Sequence, residues 1–324
     1  MTNSGSWMSA SAHCAAHRCE KAIPLLEDTL RQRPGDADLC QQIGLCYSGA
    51  CRHHALVSLP LAVAYIERAL RIVGPGEAGS RRARYLESLG NTLRIGGDVA
   101  RAHRLLGESA ALLKRHGLRD DWARVEFNLG NICCDLAGAG DAGLWTEAIR
   151  HYRNALDVRR ETADPLRFAA TVQNLGTAYR EAKHGAARER LRQAIGCYYA
   201  AFRAYAGAHL PQKLAGLHNN LGNAYLELSA HQEDRCRHVR RALAHFARAL
   251  RRNSKDDRPC EYAVTQYNRA QGYLLFAPCG CGHCAAAAAQ CFREAIEGFE
   301  RCGDTARAAM VARHLAALAP SRSD

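Results

Sequence analysis

Cysteine and histidine side chains are concentrated in one short segment near the C-terminus of the chain. Cys279, Cys281, His283 and Cys284 fall within six residues, separated by glycines and followed by an alanine-rich segment. Thiolate and imidazole groups are ligands of Zn²⁺, and glycines let a backbone wrap around an ion. One interpretation is therefore a zinc site formed by these four residues, and zinc is the one cofactor that the sequence suggests.

Two other interpretations of this segment remain open. Cys281-Gly282-His283-Cys284 resembles the active-site tetrapeptide of protein disulfide isomerases, and a helix that starts just after it would lower the pKa of a thiol there. The remaining interpretation, which we favour, is that these cysteines are chemically inert residues of a turn. Elsewhere the sequence contains no P-loop, HExxH or GxSxG motif. Nothing assembles a nucleophile, a base and an orienting group, so we expect a protein that is not an enzyme.

Asparagines recur at two fixed positions around a repeated small residue, a glycine or an alanine. Residues one turn apart share a helix face, and each amide can both donate to and accept from a peptide unit. The pattern predicts amide columns that bind an extended peptide, with internal hydrogen bonding between helices as the alternative. The residues concerned are Asn128, Asn174, Asn220 and Asn268, two places before the small residue, and Asn91, Asn131 and Asn223, one place after it.

The elements that position these residues follow from internal repetition. A Leu-Gly pair or a close variant recurs with its small residue at positions 44, 90, 130, 176, 222 and 270, and a larger side chain usually follows three residues later. A second stripe, Ala-x3-large-x2-small, follows within each repeat, as in Ala148, Tyr152 and Ala155. Both spacings are typical of amphipathic helices, here named helix A and helix B, whose small residues allow close packing.

This pattern resembles the tetratricopeptide repeat, whose signature is L-G-x2-Y followed by A-x3-F. The resemblance implies an all-α, right-handed superhelical solenoid of antiparallel helix pairs. It further implies that asparagines on the concave side hold the backbone of an extended peptide. We predict a degenerate N-terminal helix over 1–19, six clear repeats and a partial one over 20–304, a capping helix over 305–318 and a tail over 319–324.

The spacing within the repeats separates a constant part from a variable part. The interval from the helix B alanine to the next helix A small residue is 28 residues in every repeat. Pro165, Pro211 and Pro259 each lie 11 residues before such a small residue, which places them in the first turn of helix A, with Asp164 as an N-cap. The interval from helix A to helix B varies from 12 to 20 residues, so we expect the extra residues on one rim of the solenoid.

Composition sets the remaining expectations. The 324 residues are 48% hydrophobic and carry a net charge of +12, due mostly to arginine. No apolar run approaches the ~20 residues that span a bilayer, and the N-terminal sequence lacks the features of a secretory signal peptide. We therefore expect a cytoplasmic protein without a membrane partner, whose cysteines are mostly reduced.

The basic segments 188–192, 235–241 and 251–252 are interpreted as solvated outer faces. Few aromatic residues accompany these arginines in the sequence, so we do not expect a nucleic-acid partner. The prediction is a scaffold or adaptor that binds an extended segment of a partner protein or peptide in a concave groove. The alternatives are a metal- or redox-responsive adaptor working through residues 279–284 and, less favoured, a helical repeat protein that binds RNA.

Overall fold

The computed structural model describes residues 19–49, 57–76, 79–161, 163–183, 185–231, 234–279 and 282–318. In these residues the regular structure consists of fourteen α-helices and a short 3-10 turn at Ala277–Cys279, with no strand. The predicted all-α fold is thereby confirmed. None of the helices in these ranges is both long and apolar enough to cross a bilayer.

The chain divides into two compact units, Met1–Val158 and Arg159–Asp324. Within each unit every helix packs against the next one along the chain, and helix A also contacts helix A of the following repeat. The first unit contains α1 Cys19–Gln32, α2 Ala37–Tyr47, α3 Leu59–Val73, α4 Ser80–Ile95, α5 Val99–Arg115, α6 Arg119–Gly138 and α7 Leu144–Leu156. The second unit contains α8 Pro165–Glu181, α9 Ala187–Gly207, α10 Pro211–Ser229, α11 Arg235–Leu250, α12 Pro259–Phe276, α13 Cys284–Arg301 and α14 Thr305–Ala316.

The helix starts agree with the local sequence signals. Pro165, Pro211 and Pro259 are each the first residue of a helix A, as predicted. Proline is tolerated there because a backbone N–H in the first turn of a helix has no acceptor within the helix. The Asp164 carboxylate accepts a 3.0 Å hydrogen bond from the backbone N–H of Arg167, which confirms it as the N-cap of α8.

The repeated small residue lets helix B lie close to helix A. A Cβ on Gly130 would lie 2.6 Å from the Tyr152 ring, and a Cβ on Gly222 would lie 2.3 Å from the Phe246 ring. Tyr152 and Phe246 are the large residues of the helix B stripe, and both are fully buried. The small residue of helix A and the large residue of helix B in the sequence pattern therefore form one contact, in which a ring of helix B packs against a glycine of helix A.

Several cysteines are oxidised, contrary to the expectation of mostly reduced thiols. Cys260, at the start of α12, forms a disulfide with Cys302, which follows α13. Cys19, Cys236 and Cys284 are also disulfide-bonded, whereas six of the described cysteines take no part in a disulfide. Of the predicted segments, 1–19 lies outside the described residues except for Cys19, and 319–324 lies wholly outside them.

Candidate functional site

The predicted amide positions of the first unit are used largely for internal contacts. Asn128 Nδ2 donates to Glu87 Oε1 of the neighbouring helix A at 3.3 Å. Asn131 Oδ1 accepts from the Tyr152 hydroxyl at 2.8 Å, so this amide faces helix B of its own repeat. Asn91 is half-buried, and its amide has no hydrogen-bond partner within the described ranges.

The second unit leaves more of the amides available. Asn268 Nδ2 donates to Asn219 Oδ1 of the neighbouring helix A at 3.1 Å, and Asn174 also interacts within the chain. Asn220 and Asn223, both half-buried on α10, have no hydrogen-bond partner among the residues that the structure describes. Part of the asparagine pattern is thus structural, and peptide binding by the remaining amides stays a prediction.

A basic groove lies on α9, α10 and α11 of the second unit. One part is a cavity of about 550 Å³ lined by Tyr199, Tyr225 and His245 together with four arginines. The adjoining part, of about 420 Å³, shares Tyr225 and two of those arginines and adds two more from α9. We call this surface the arginine groove, and its arginines are Arg188, Arg192, Arg237, Arg240, Arg241 and Arg248.

The charge of the arginine groove is almost uncompensated. The one acidic residue among its lining residues is Asp234, whose carboxylate lies 3.7 Å from an Arg237 nitrogen. The other five arginines make no ion pair within the described part of the chain. Arg241 lies over the Tyr225 ring, 5.6 Å from its centroid, a contact that orients the guanidinium without neutralising it. The groove therefore offers several positive charges to a ligand.

The floor of the groove is neutral at physiological pH. The Tyr199 hydroxyl lies 3.4 Å from both the Tyr225 hydroxyl and His245 Nε2. Burial raises the pKa of Tyr199 to about 12, so the hydroxyl keeps its proton. Burial, followed by the neighbouring His218 and the arginines, lowers the pKa of His245 to about 4. The positive potential thus comes from the arginines alone, above a floor that supplies hydroxyl groups.

Sequence reasoning missed this groove. The arginines are exposed, as expected for outer faces, but they converge on one depression instead of pointing separately into solvent. Two aromatic residues line the groove beside these arginines, Tyr199, which is 40% exposed, and Tyr225, which is buried. The sequence feature that could have indicated the groove is the pair of basic segments 188–192 and 235–241, which lie on consecutive B helices, one repeat apart.

The cysteine-rich turn is only partly described. His283 is exposed, and Cys284 is buried at the start of α13 and disulfide-bonded. Cys281 and the side chain of Cys279 lie outside the described residues. A disulfide sulfur offers no thiolate, so the zinc interpretation of Cys279, Cys281, His283 and Cys284 applies to the reduced segment and stays a prediction.

Two further clusters bear on chemistry. His103, Cys133 and His151 place one ligand atom each within 4.8 Å of the others, a grouping that the sequence analysis did not find.

The glycines of segment 138–143 match the spacing G-x-G-x-x-G, but this segment joins α6 to α7, and no strand precedes it within the described residues. It therefore lacks the strand–turn–helix context of a dinucleotide-binding loop.

Comparison with known proteins finds relatives at the level of the fold. No protein-family model matches the sequence, and no curated protein matches it. Among solved structures, the apo form of RapI aligns with a TM-score of 0.58 at 13% identity, over 92% of this chain and 97% of RapI. A chain of the APC/C hetero-tetramer Cut9–Hcn1 aligns with a TM-score of 0.58 at 14% identity, over 92% of this chain and 48% of that chain. A Rap protein complexed with competence and sporulation factor gives a TM-score of 0.53 at 12% identity, over 98% of this chain and 87% of that protein.

The helix pairs, the glycine–ring packing between them and these structural neighbours define the class of the fold. Each of the two units is built of antiparallel helix pairs of the tetratricopeptide-repeat type, as the sequence pattern predicted. At identities of 12–14% these neighbours establish the fold alone.

Proposed function

We propose that this chain is a non-enzymatic protein-interaction scaffold that binds an acidic segment of a partner protein in the arginine groove. The observation that carries the proposal is the convergence of six arginines from α9 and α11 on one depression with a single described acidic residue. Guanidinium groups form bidentate, charge-assisted hydrogen bonds with carboxylates. Glutamate and aspartate side chains of a partner would therefore supply the counter-charges that the groove lacks.

The fold supports a binding role. Tetratricopeptide-repeat solenoids present extended surfaces built from successive repeats, and insertions on one rim often take part in binding. The Rap protein with a similar fold is complexed with competence and sporulation factor. Function on a shared fold is set by the site, however, so the partner chemistry proposed here rests on the arginines and not on that neighbour.

An acidic protein segment fits the groove better than a nucleic acid does. Single-stranded nucleic acids are held by successive aromatic rings on which bases stack, next to a positively charged path. Here Tyr199 is the exposed ring, whereas Tyr225 is buried with its ring under Arg241. One accessible ring supplies little stacking, while the arginines are well placed for carboxylates.

A second contact is proposed on helix A of the same unit. Asn220 and Asn223 lie on one face of α10, and their amides have no partner within the described residues. Each amide can donate to and accept from one peptide unit, so the pair is suited to the backbone of an extended segment. The amides would fix the path of that segment, and the arginines would select its charge.

The proposal is tested by fluorescence anisotropy with the full chain and three labelled probes, namely an oligo-glutamate peptide, an oligo-lysine peptide and a single-stranded RNA. We expect binding of oligo-glutamate only. Arg237→Glu/Arg241→Glu should weaken it by roughly tenfold or more, equivalent to ~1.4 kcal/mol. The matched control is Arg251→Glu/Arg252→Glu, which makes the same charge change at exposed residues that do not line the groove.

Each outcome of this titration is informative. Equal losses in the groove variant and the control variant would show unspecific electrostatics and contradict the proposed site. Tighter binding of RNA than of oligo-glutamate would contradict the proposed protein partner and indicate a nucleic-acid partner instead. A comparable loss in Asn220→Ala/Asn223→Ala would add the amide face to the site, whereas unchanged binding would restrict recognition to the arginines.

A further inference from the structure

A group of metal-ligand side chains lies in the first unit, remote in sequence from the arginine groove. His103 belongs to α5, Cys133 to α6 and His151 to α7, so three consecutive helices each contribute one residue. Their ligand atoms all lie within 4.8 Å of one another, and Cys133 Sγ is 3.8 Å from His103 Nε2. Cys133 and His151 are buried and His103 is half-buried.

The ligand atoms lie slightly farther apart than in an occupied tetrahedral ion site. Zinc–sulfur and zinc–nitrogen bonds are ~2.3 Å and ~2.0–2.1 Å long, which places neighbouring ligand atoms roughly 3.5 Å apart. The 3.8 Å between Cys133 Sγ and His103 Nε2 is close to this value, and the separations that involve His151 are at most 4.8 Å. One thiolate and two imidazoles form a donor set that suits Zn²⁺ and Co²⁺ better than Mg²⁺ or Ca²⁺.

The hydrogen bonds of His151 select the nitrogen that faces an ion. Its Nδ1 lies 2.8 Å from Glu126 Oε2, and its Nε2 lies 3.0 Å from an Arg150 guanidinium nitrogen. Because a guanidinium only donates, Nε2 must accept, and Nδ1–H therefore donates to the carboxylate. Metal-binding histidines commonly donate their second ring N–H to a carboxylate, which fixes the ring and its tautomer.

Glu126 is itself held in place for this role. It is 5% exposed, and its Oε2 also accepts from Asn154 Nδ2 at 2.8 Å. A buried carboxylate with two donors is costly to move, so it holds the His151 ring rigidly. This arrangement resembles the outer shell of a metal centre more than an incidental core contact.

Arg150 occupies the position that an ion would take beside His151. Its guanidinium donates to His151 Nε2 and to the Glu147 carboxylate, and its side chain is half-exposed. An arriving ion displaces this flexible side chain into solvent and releases Glu147. Glu147 and His151 are one helical turn apart on α7, so the carboxylate can complete a fourfold ligand set.

We propose that His103, Cys133 and His151 bind Zn²⁺, with Glu147 as fourth ligand and Arg150 as the side chain that the ion displaces. On binding, the Cys133 thiol releases its proton to solvent and the sulfur bonds to the ion, so one proton leaves for each ion bound. The site would connect the B helix of one repeat to both helices of the next. Metal binding would thus stabilise the first unit at a repeat junction.

Cobalt titration of the full chain under reducing conditions tests this proposal. We expect one Co²⁺ per chain at this site, with a thiolate-to-cobalt charge-transfer band and the visible absorption of tetrahedral Co²⁺, and competition by Zn²⁺. Cys133→Ser should remove the charge-transfer band and weaken affinity at least tenfold. His103→Gln removes a direct ligand and should also weaken affinity at least tenfold, the lower end of the range of about 10–100-fold for loss of a ligand's hydrogen-bond partner. Cys134→Ser, next in sequence and not among the four proposed ligands, should retain the band.

Two further variants keep the result interpretable. Arg150→Gln should increase cobalt affinity severalfold, since it removes the competing cation and keeps all four proposed ligands. An unchanged or lower affinity would contradict the proposal that the ion displaces Arg150. Cys281→Ser/Cys284→Ser removes the other candidate zinc segment. A band that persists in Cys133→Ser and disappears in this double variant would refute the site, provided that circular dichroism shows both proteins folded.

Discussion

His218 Nδ1 and His245 Nδ1 lie 3.0 Å apart beneath the arginine groove, and both side chains are buried. At this distance one nitrogen must donate and the other accept, so at least one of the two rings is neutral. Burial lowers the pKa of His218 and of His245 to about 4, with Arg248 as a further cause for both. In the unfolded chain each imidazole titrates near ~6.5.

The first prediction is a loss of stability in acid. Between about pH 6.5 and pH 4 the unfolded chain binds protons at these histidines and the folded chain does not, so stability falls as pH decreases through this window. Urea unfolding of the full chain, measured at several pH values, should show it. His218→Gln removes one of the two titrating groups and should make this decrease markedly shallower, whereas an identical slope would contradict the role of the pair.

The helical fold was predictable because its signals are local. Pro165 and Asp164 specify a helix start through backbone chemistry within one turn, and the i, i+4, i+7 spacing around Tyr152 specifies a buried face. Repetition fixes the phase, since the same spacing recurs through successive repeats. These features need no knowledge of how distant side chains are oriented.

The candidate sites depend on orientations that sequence does not show. The asparagine pattern correctly places amides on helix A, but packing turns Asn131 towards Tyr152 and brings Asn128 to Glu87. The arginine groove and the group of His103, Cys133 and His151 combine residues from three helices each. Which faces of those helices meet is set by their packing and not by any one segment.

A second prediction concerns two glycines of the same helix, α10. Gly222→Ala would place a Cβ 2.3 Å from the Phe246 ring, and the core cannot yield without moving that ring. We expect a destabilisation of about 1–3 kcal/mol, typical of overpacking. Gly216 is exposed with no atom within 4 Å of an added Cβ, so Gly216→Ala should stabilise the helix by about 0.5–1 kcal/mol. Urea unfolding of the two variants should give opposite signs, and equal signs would contradict the packing described.

The third prediction addresses the disulfide between Cys260 and Cys302, which closes a loop across 42 residues. Closing such a loop restricts the unfolded chain and stabilises the folded state by about 4 kcal/mol in the chain-entropy model. Cys260→Ser/Cys302→Ser should therefore unfold at lower urea concentration than the unmodified protein. Since other cysteines are also oxidised, the comparison is repeated with reductant, where the difference should largely disappear. A difference that survives reduction would assign the effect to packing.

The last prediction tests a polar contact between the A helices of neighbouring repeats. Glu87 is buried, accepts two 2.8 Å hydrogen bonds from the Arg124 guanidinium and one longer bond from Asn128. Arg124→Met leaves this carboxylate with the weaker donor, and we expect a cost of about 1–3 kcal/mol in urea unfolding. Arg101→Met removes a more exposed ion pair with Glu67 in the same unit and should cost less than ~1 kcal/mol. Adding Glu87→Gln to Arg124→Met should restore part of the lost unfolding free energy, because a neutral amide costs less to bury than a carboxylate. If no stability is restored, the apolar stem of Arg124, and not the charge pair, stabilises this junction.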